Sequence, residues 1–187
     1  MKRTSTIALM CLIGAFSMLS CHFGPEQTGL LSGDKLVVDN CGTFEPFEMK
    51  IDFIAYDDCE DLLYFRIQKS GRAISESDGI ALQLTNSENL LQAVQEGPVT
   101  LDLPSDEARL SLYLNRDCPG SFVSIIAQDG HLEISQLELG KNGVLLLSGT
   151  FDLVDEKTGE VLGQQMELTV DAELSEQSPH VDFAYCP

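Results

Sequence analysis

Residues 166–174 read Met166-Glu167-Leu168-Thr169-Val170-Asp171-Ala172-Glu173-Leu174. Every second residue is apolar and most of the others are acidic. A period of two is the signature of a strand with one buried and one wet face. Ala108-Arg109-Leu110-Ser111-Leu112-Tyr113-Leu114 repeats the pattern, as do Val99–Leu103 and Val181–Tyr185. Extended along the chain, the reading predicts about eleven strands: 36–39, 48–56, 62–68, 79–84, 99–103, 108–114, 121–128, 131–139, 143–154, 161–174 and 180–185.

Turn chemistry fits between them. Asp129-Gly130 and Asn142-Gly143 suit two-residue type I′ hairpins. Pro119-Gly120 suits a type II turn, and Asp155–Glu160 joins two long strands. Leu132 and Ile134 are out of phase with Leu137 and Leu139, so a bulge is expected near Ser135-Gln136. One short helix is expected, capped by Ser87, with Leu90, Leu91 and Val94 inward and Gly97-Pro98 at its end. Many short antiparallel strands with close turns predict an all-β fold: an antiparallel β-sandwich, or alternatively a closed β-barrel.

The start of the chain is different. Met1-Lys2-Arg3 is basic and Ile7–Leu19 is apolar apart from Gly14 and Ser17. This is the form of an export signal, and it falls short of the ~20 residues that cross a bilayer. Ala15-Phe16-Ser17 offers an ordinary cleavage site. Met18-Leu19-Ser20-Cys21 resembles the lipobox of bacterial lipoproteins, although Leu is more usual than Met at its first position. That resemblance covers residues 1–21 alone. It implies cleavage before Cys21 and acylation of its sulfur, with the attached chains holding the protein on a membrane. His22 stands where an inner-membrane-retained member would carry Asp, which implies the outer membrane.

Cysteine parity agrees. Cys11 leaves with the signal and Cys21 carries lipid, so Cys41, Cys59, Cys118 and Cys186 form an even set for two disulfides. A bridge between strand ends predicts Cys118–Cys186, which leaves Cys41–Cys59. If 36–39 and 48–56 formed a hairpin, that second pair would be ~30 Å apart at about 3.3 Å per residue. A disulfide tolerates ~7 Å between Cα atoms, so this pairing requires those strands not to be partners. The expected organisation is therefore a signal over 1–20, an acylated tether over 21–33 and one β domain over 34–187.

Without Lys2 and Arg3 the chain has nine basic residues against thirty acidic ones, a formal charge of −21. Such a surface repels phosphate backbones and anionic lipid heads, so nucleic acid is not an expected partner and the lipid must hold the membrane. The acids are spread along the chain, which reads as solubility. Two loops are weak calcium candidates: Asp57, Asp58, Glu60 and Asp61 around Cys59, and Asp155, Glu156 and Glu160 in a hairpin; neither follows the EF-hand order. No metal or cofactor is expected.

Catalytic signatures are missing: no Gly-x-Ser-x-Gly, His-Glu-x-x-His, Cys-x-x-Cys or phosphate loop. His22, His131 and His180 are scattered, each beside a predicted strand end or in the tether. With no Trp to form a sugar platform, a carboxylate-pair glycosidase has little support. Phe44, Phe47, Tyr113 and Phe122 are expected either to pack at the edge of the core or to form a contact patch. The function expected is a non-enzymatic envelope lipoprotein that binds a protein or envelope component. A barrel carrying a small apolar ligand, and a calcium-dependent binding module, are the alternatives.

Overall fold

A computed structural model describes residues 28–70, 72–121, 123–140 and 142–174. The chain is all-β. Its strands are β1 (Gly29–Gly33), β2 (Leu36–Val38), β3 (Gly42–Phe44), β4 (Phe47–Ile51), β5 (Phe53–Cys59), β6 (Leu62–Gln68), β7 (Asp78–Thr85), β8 (Val99–Leu103), β9 (Ala108–Leu114), β10 (Ile125–Glu138), β11 (Gly143–Asp155) and β12 (Val161–Leu174). The one α-helix among the described residues, α1 (Ser87–Glu96), turns Leu90 and Val94 inward. Its cap is Asn86, in a left-handed conformation, rather than Ser87, and Gly97 ends it.

β2 and β3 form a small hairpin. The other ten strands form one antiparallel sheet in the order β4-β1-β12-β11-β10-β9-β7-β6-β5, with β8 also on β10. The end strands β4 and β5 are separated in the chain by Asp52 alone. A continuous segment at both ends of a sheet forces the sheet to curl until its ends meet, which gives a nearly closed, barrel-like form. At the seam the N–H of Thr28 donates to the Ile51 carbonyl (3.0 Å) and that of Asp52 to the Gln68 carbonyl (3.1 Å).

Alternation fills the interior. Leu31, Met49, Ile51, Phe65, Ile80, Leu110, Leu132, Leu145, Phe151 and Leu168 belong to a single buried cluster. The helix closes one side of it through Leu90 and Val94.

Several expectations change. Gly29–Gly33 is not tether: Leu31 is fully buried and the segment pairs with both β4 and β12, so these residues belong to the sheet. Asp129-Gly130 is not a hairpin. Gln128 and His131 do not pair with each other; both pair with β11, at Asp152 and Thr150, so 125–138 is one strand. The bulge near Ser135 is present, as a register shift between Ile134 and Gln136. In the 118–121 turn the Ser121 N–H donates to the Cys118 carbonyl and Gly120 has φ +84°, as a type II turn requires. Asn142 has φ +69°, and the Gly143 N–H closes the β10–β11 connection on the Gly140 carbonyl.

The expected disulfides are overturned. Cys41 is bonded to Cys118, with Cα atoms 5.5 Å apart, so neither Cys41–Cys59 nor Cys118–Cys186 forms. The β2–β3 hairpin folds Cys41 back onto the loop that follows β9, a proximity that strand-end reasoning missed. The predicted strand at 180–185, Cys21 and Cys186 lie outside the described residues.

Candidate functional site

Three adjacent strands are irregular at one level of the sheet. In β10, Asp129 takes φ +51° and the register with β11 shifts between Gln128 and His131. Between β11 and β12 the register shifts after the Phe151–Met166 pair, and Gln165 takes φ +48°. The Gln165 N–H, freed from the ladder, donates to Asp152 Oδ1 at 2.8 Å. Bulges bend strands and re-aim side chains, and they concentrate near binding sites. Gly130 is required here, because a Cβ at that position would lie 2.2 Å from the Thr150 carbonyl oxygen.

The bend creates an open groove of about 1130 Å³ on the outside of the sheet. Its floor and walls carry the outward residues of β10, β11, β12, β1 and β4: Asp129, His131, Thr150, Asp152, Gln165, Glu167, Ser32 and Glu48. Asp34 and Lys35, from the β1–β2 connection, complete the charged lining. Five carboxylates thus face one lysine and one histidine, and Lys35 is itself 3.8 Å from Glu45. The rim is apolar. Val37 (38% exposed) and Val161 (47%) are the exposed large hydrophobic residues among those described, and both line this groove beside Pro46.

His131 therefore lies within a strand on the groove wall, not at a strand end. His22, His180 and Phe122 lie outside the described residues. Phe44 and Phe47 do not form an exposed patch. Phe47 is buried, Phe44 packs against the core, and their rings meet edge to face at 6.1 Å.

The calcium candidates do not converge. Asp57 faces Arg66, its Oδ2 3.2 Å from Nη2, while the neighbouring Asp58 points to the opposite side of β5. Asp61 is an exposed residue of the β5–β6 turn. Asp155 Oδ1 accepts the N–H groups of Lys157 (2.7 Å) and Thr158 (3.0 Å), which builds the β11–β12 turn. Glu156 accepts from Ser124 Oγ and pairs with Arg109, and these contacts hold its carboxyl below the usual range. Among the described residues no three His, Cys, Asp or Glu side chains are grouped as metal ligands.

Chemically, the groove offers several hydrogen-bond acceptors, strong negative potential and two apolar contacts at its lip. No signal in single-strand periodicity could have located it, since it depends on irregularities of separate strands, at Asp129 and Gln165, falling at one level of the sheet. Comparison with protein-family models, curated proteins and solved structures finds no match.

Proposed function

We propose that this chain is an exported lipoprotein of a bacterial envelope, anchored by acyl chains on Cys21, whose domain is a non-enzymatic binding module. Its ligand is a basic, extended polypeptide segment of an envelope partner, taken up in the groove between β4 and β10. The observation that carries the reading is the meeting of the two exposed valines with a carboxylate-lined groove. An exposed apolar contact beside complementary charge is how a surface gains both affinity and steering.

Two further features support it. Disulfide bonding at Cys41, Cys118 and Cys59 is compatible with export, since cytosolic thiols are kept reduced. The barrel interior is filled by side chains such as Phe65 and Phe151, which speaks against a carrier of small apolar ligands.

The anchor is tested by Cys21→Ser and cell fractionation: the variant should leave the membrane fraction, and unchanged sedimentation would sink the anchor. The groove is tested by titrating a lysine-rich peptide calorimetrically into the mature domain. Binding should weaken with salt and fall at least about tenfold in a Glu48→Lys/Glu167→Lys variant, the loss expected from setting like charges against the peptide. Equal binding by parent and variant would refute the groove as the site.

A further inference from the structure

Strand β12 is longer than the strand beside it. β1 pairs with it from Gly29, opposite Val170, to Ser32, opposite Glu167, and Gly33 pairs with Phe47 of β4. At Asp34 the chain leaves the sheet towards β2. On its other side β12 keeps its partner, with Leu153 of β11 opposite Gly163 and Val154 opposite Val161. Among the described residues, the segment 161–165 thus has a strand on one side only. Backbone N–H and C=O groups point alternately to the two sides of a strand, so part of this segment's ladder faces away from β11 with no strand to receive it.

β2 does not fill the gap. It pairs with β3 and crosses the buried face of β12. A Cβ on Gly163 would lie 3.2 Å from Leu36 Cδ1 and 3.2 Å from the Lys35 carbonyl oxygen, beside the Met166 sulfur. A Cβ points out of the plane of a sheet, so these contacts lie over the strand and not along its edge. Leu36 and Met166 are both fully buried, which sets that face towards the core. The edge itself opens into the acidic groove, which residues 161–165 all line.

Two other strands with a single partner carry guards that this segment lacks. β4 pairs with β1, starts after Pro46, and exposes Glu48 and Lys50. β8 pairs with β10, lies between Pro98 and Pro104, and exposes Asp102. Prolines and charges of this kind keep an edge from recruiting another chain. Residues 161–165, Val-Leu-Gly-Gln-Gln, contain neither. Their irregularity at Gln165 bounds the segment at the end nearest β1. At the other end Val161 is exposed, as is Val37 of β2 on the same groove. An open, uncharged edge with apolar contacts beside it is a surface to which an extended chain adds as a further strand.

We propose that the partner's segment adds as an antiparallel strand to the edge of β12 at residues 161–165, in line with β1, and that an alternation of basic and apolar residues is what the edge selects. This inference rests on the groove being the binding site and adds how the ligand is held there. Charge chooses the occupant. Ser32 pairs with Glu167 on one side and Glu48 on the other, so two carboxylates flank the end of β1 on the outer face. Asp34 and Asp152 line the same groove. Outward lysines or arginines of an added strand meet these carboxylates. Its alternate, apolar face meets β2, which crosses the buried side of β12 and exposes Val37. A second copy of this chain fits poorly, because it brings a formal charge of −19 to a groove that is already acidic.

Amide hydrogen exchange and calorimetry on the intact mature protein test this. The probe is a short alternating Lys-Val peptide, and the control is the same peptide with every backbone amide N-methylated. In the free protein the amides of 161–165 directed away from β11 should exchange close to the unprotected rate, and the probe should slow them. N-methylation keeps every charge but removes the backbone donors, so it should weaken binding at least about tenfold, the equivalent of roughly one or two net hydrogen bonds. Equal binding of both peptides, with no added protection at 161–165, overturns strand addition and leaves the acidic groove standing as the site. Binding of neither overturns both readings. Slow exchange of every amide in 161–165 without peptide overturns the open edge. Protection lost on dilution would then assign the edge to a second copy, and protection independent of concentration to the chain itself. All of this is read on the unsubstituted protein, so no outcome depends on a variant that must fold.

Discussion

Asp78 opens β7 fully buried, and its Oδ1 accepts the N–H groups of Arg116 (2.9 Å) and Asp117 (3.0 Å). One carboxylate thus fixes the loop after β9 against the start of β7. Lys69 bridges it to Asp117, with Nζ 3.6 Å from Asp78 Oδ2 and 2.8 Å from Asp117 Oδ2. Asp78→Ala leaves two amides without their acceptor, and should lower unfolding free energy by about 2 kcal/mol in urea titrations. The hydrogen bond from Lys69 holds the Asp117 carboxyl below the ordinary aspartate range. A depressed folded-state pKa gives stability that is present above the unfolded value, near 4, and is lost as pH falls through the folded one. Lys69→Met should flatten that acid limb. Tyr113 does the opposite. Burial, followed by the nearby Tyr64 phenol, pushes its hydroxyl well above its ordinary 10.0. Its contribution is intact below that value and fades as pH rises beyond it, because the unfolded chain releases the proton first. Alkaline unfolding curves of Tyr113→Phe should therefore lose part of their slope against pH.

At the level of elements, what could be read from sequence depended on whether a feature was local. β9 and β8 were legible to the residue because each alternates without interruption between clear turns, and β12 was legible at both ends because the alternation of Met166–Leu174 outweighs the irregular stretch before it. β1 was not, since glycines at both its ends gave Gly29–Gly33 the look of a linker; its strand character comes from two partners distant in sequence. β10 was split because Asp129-Gly130 is a strong turn dipeptide, and the continuous ladder with β11 outweighed it. The same misreading hid the groove, which exists only because that dipeptide is a bulge inside a strand. Gly130→Val forces a side chain against the Thr150 carbonyl and the Phe151 backbone. A loss of about 2 kcal/mol or more is expected, the cost of overpacking a site that cannot expand. Thermal melts would register it, and peptide binding should drop with it as the bend straightens.

For the whole molecule, the Cys41–Cys118 bond spans 77 residues of sequence and ties the β2–β3 hairpin to the loop beyond β9. It thereby joins the hairpin beside one edge of the curled sheet to its opposite side, where no strand pairing makes the connection among the described residues, since there β2 and β3 pair with each other. A cross-link of that span removes many unfolded conformations, and chain entropy puts its contribution at about 4 kcal/mol. The acidity of the chain increases the effect, because self-repulsion expands the unfolded ensemble that the bond restrains. Cys41→Ala/Cys118→Ala should accordingly lower the urea midpoint and also steepen the transition, since an unrestrained chain exposes more surface on unfolding. The steepening is the discriminating part. A pair that acted only through the packing of Cys118 in the core would shift the midpoint at constant slope. Raising the salt concentration should narrow the gap between parent and variant, as screening compacts the unlinked chain towards the linked one. A gap that stays the same in high salt would assign the bond's effect to chain length alone.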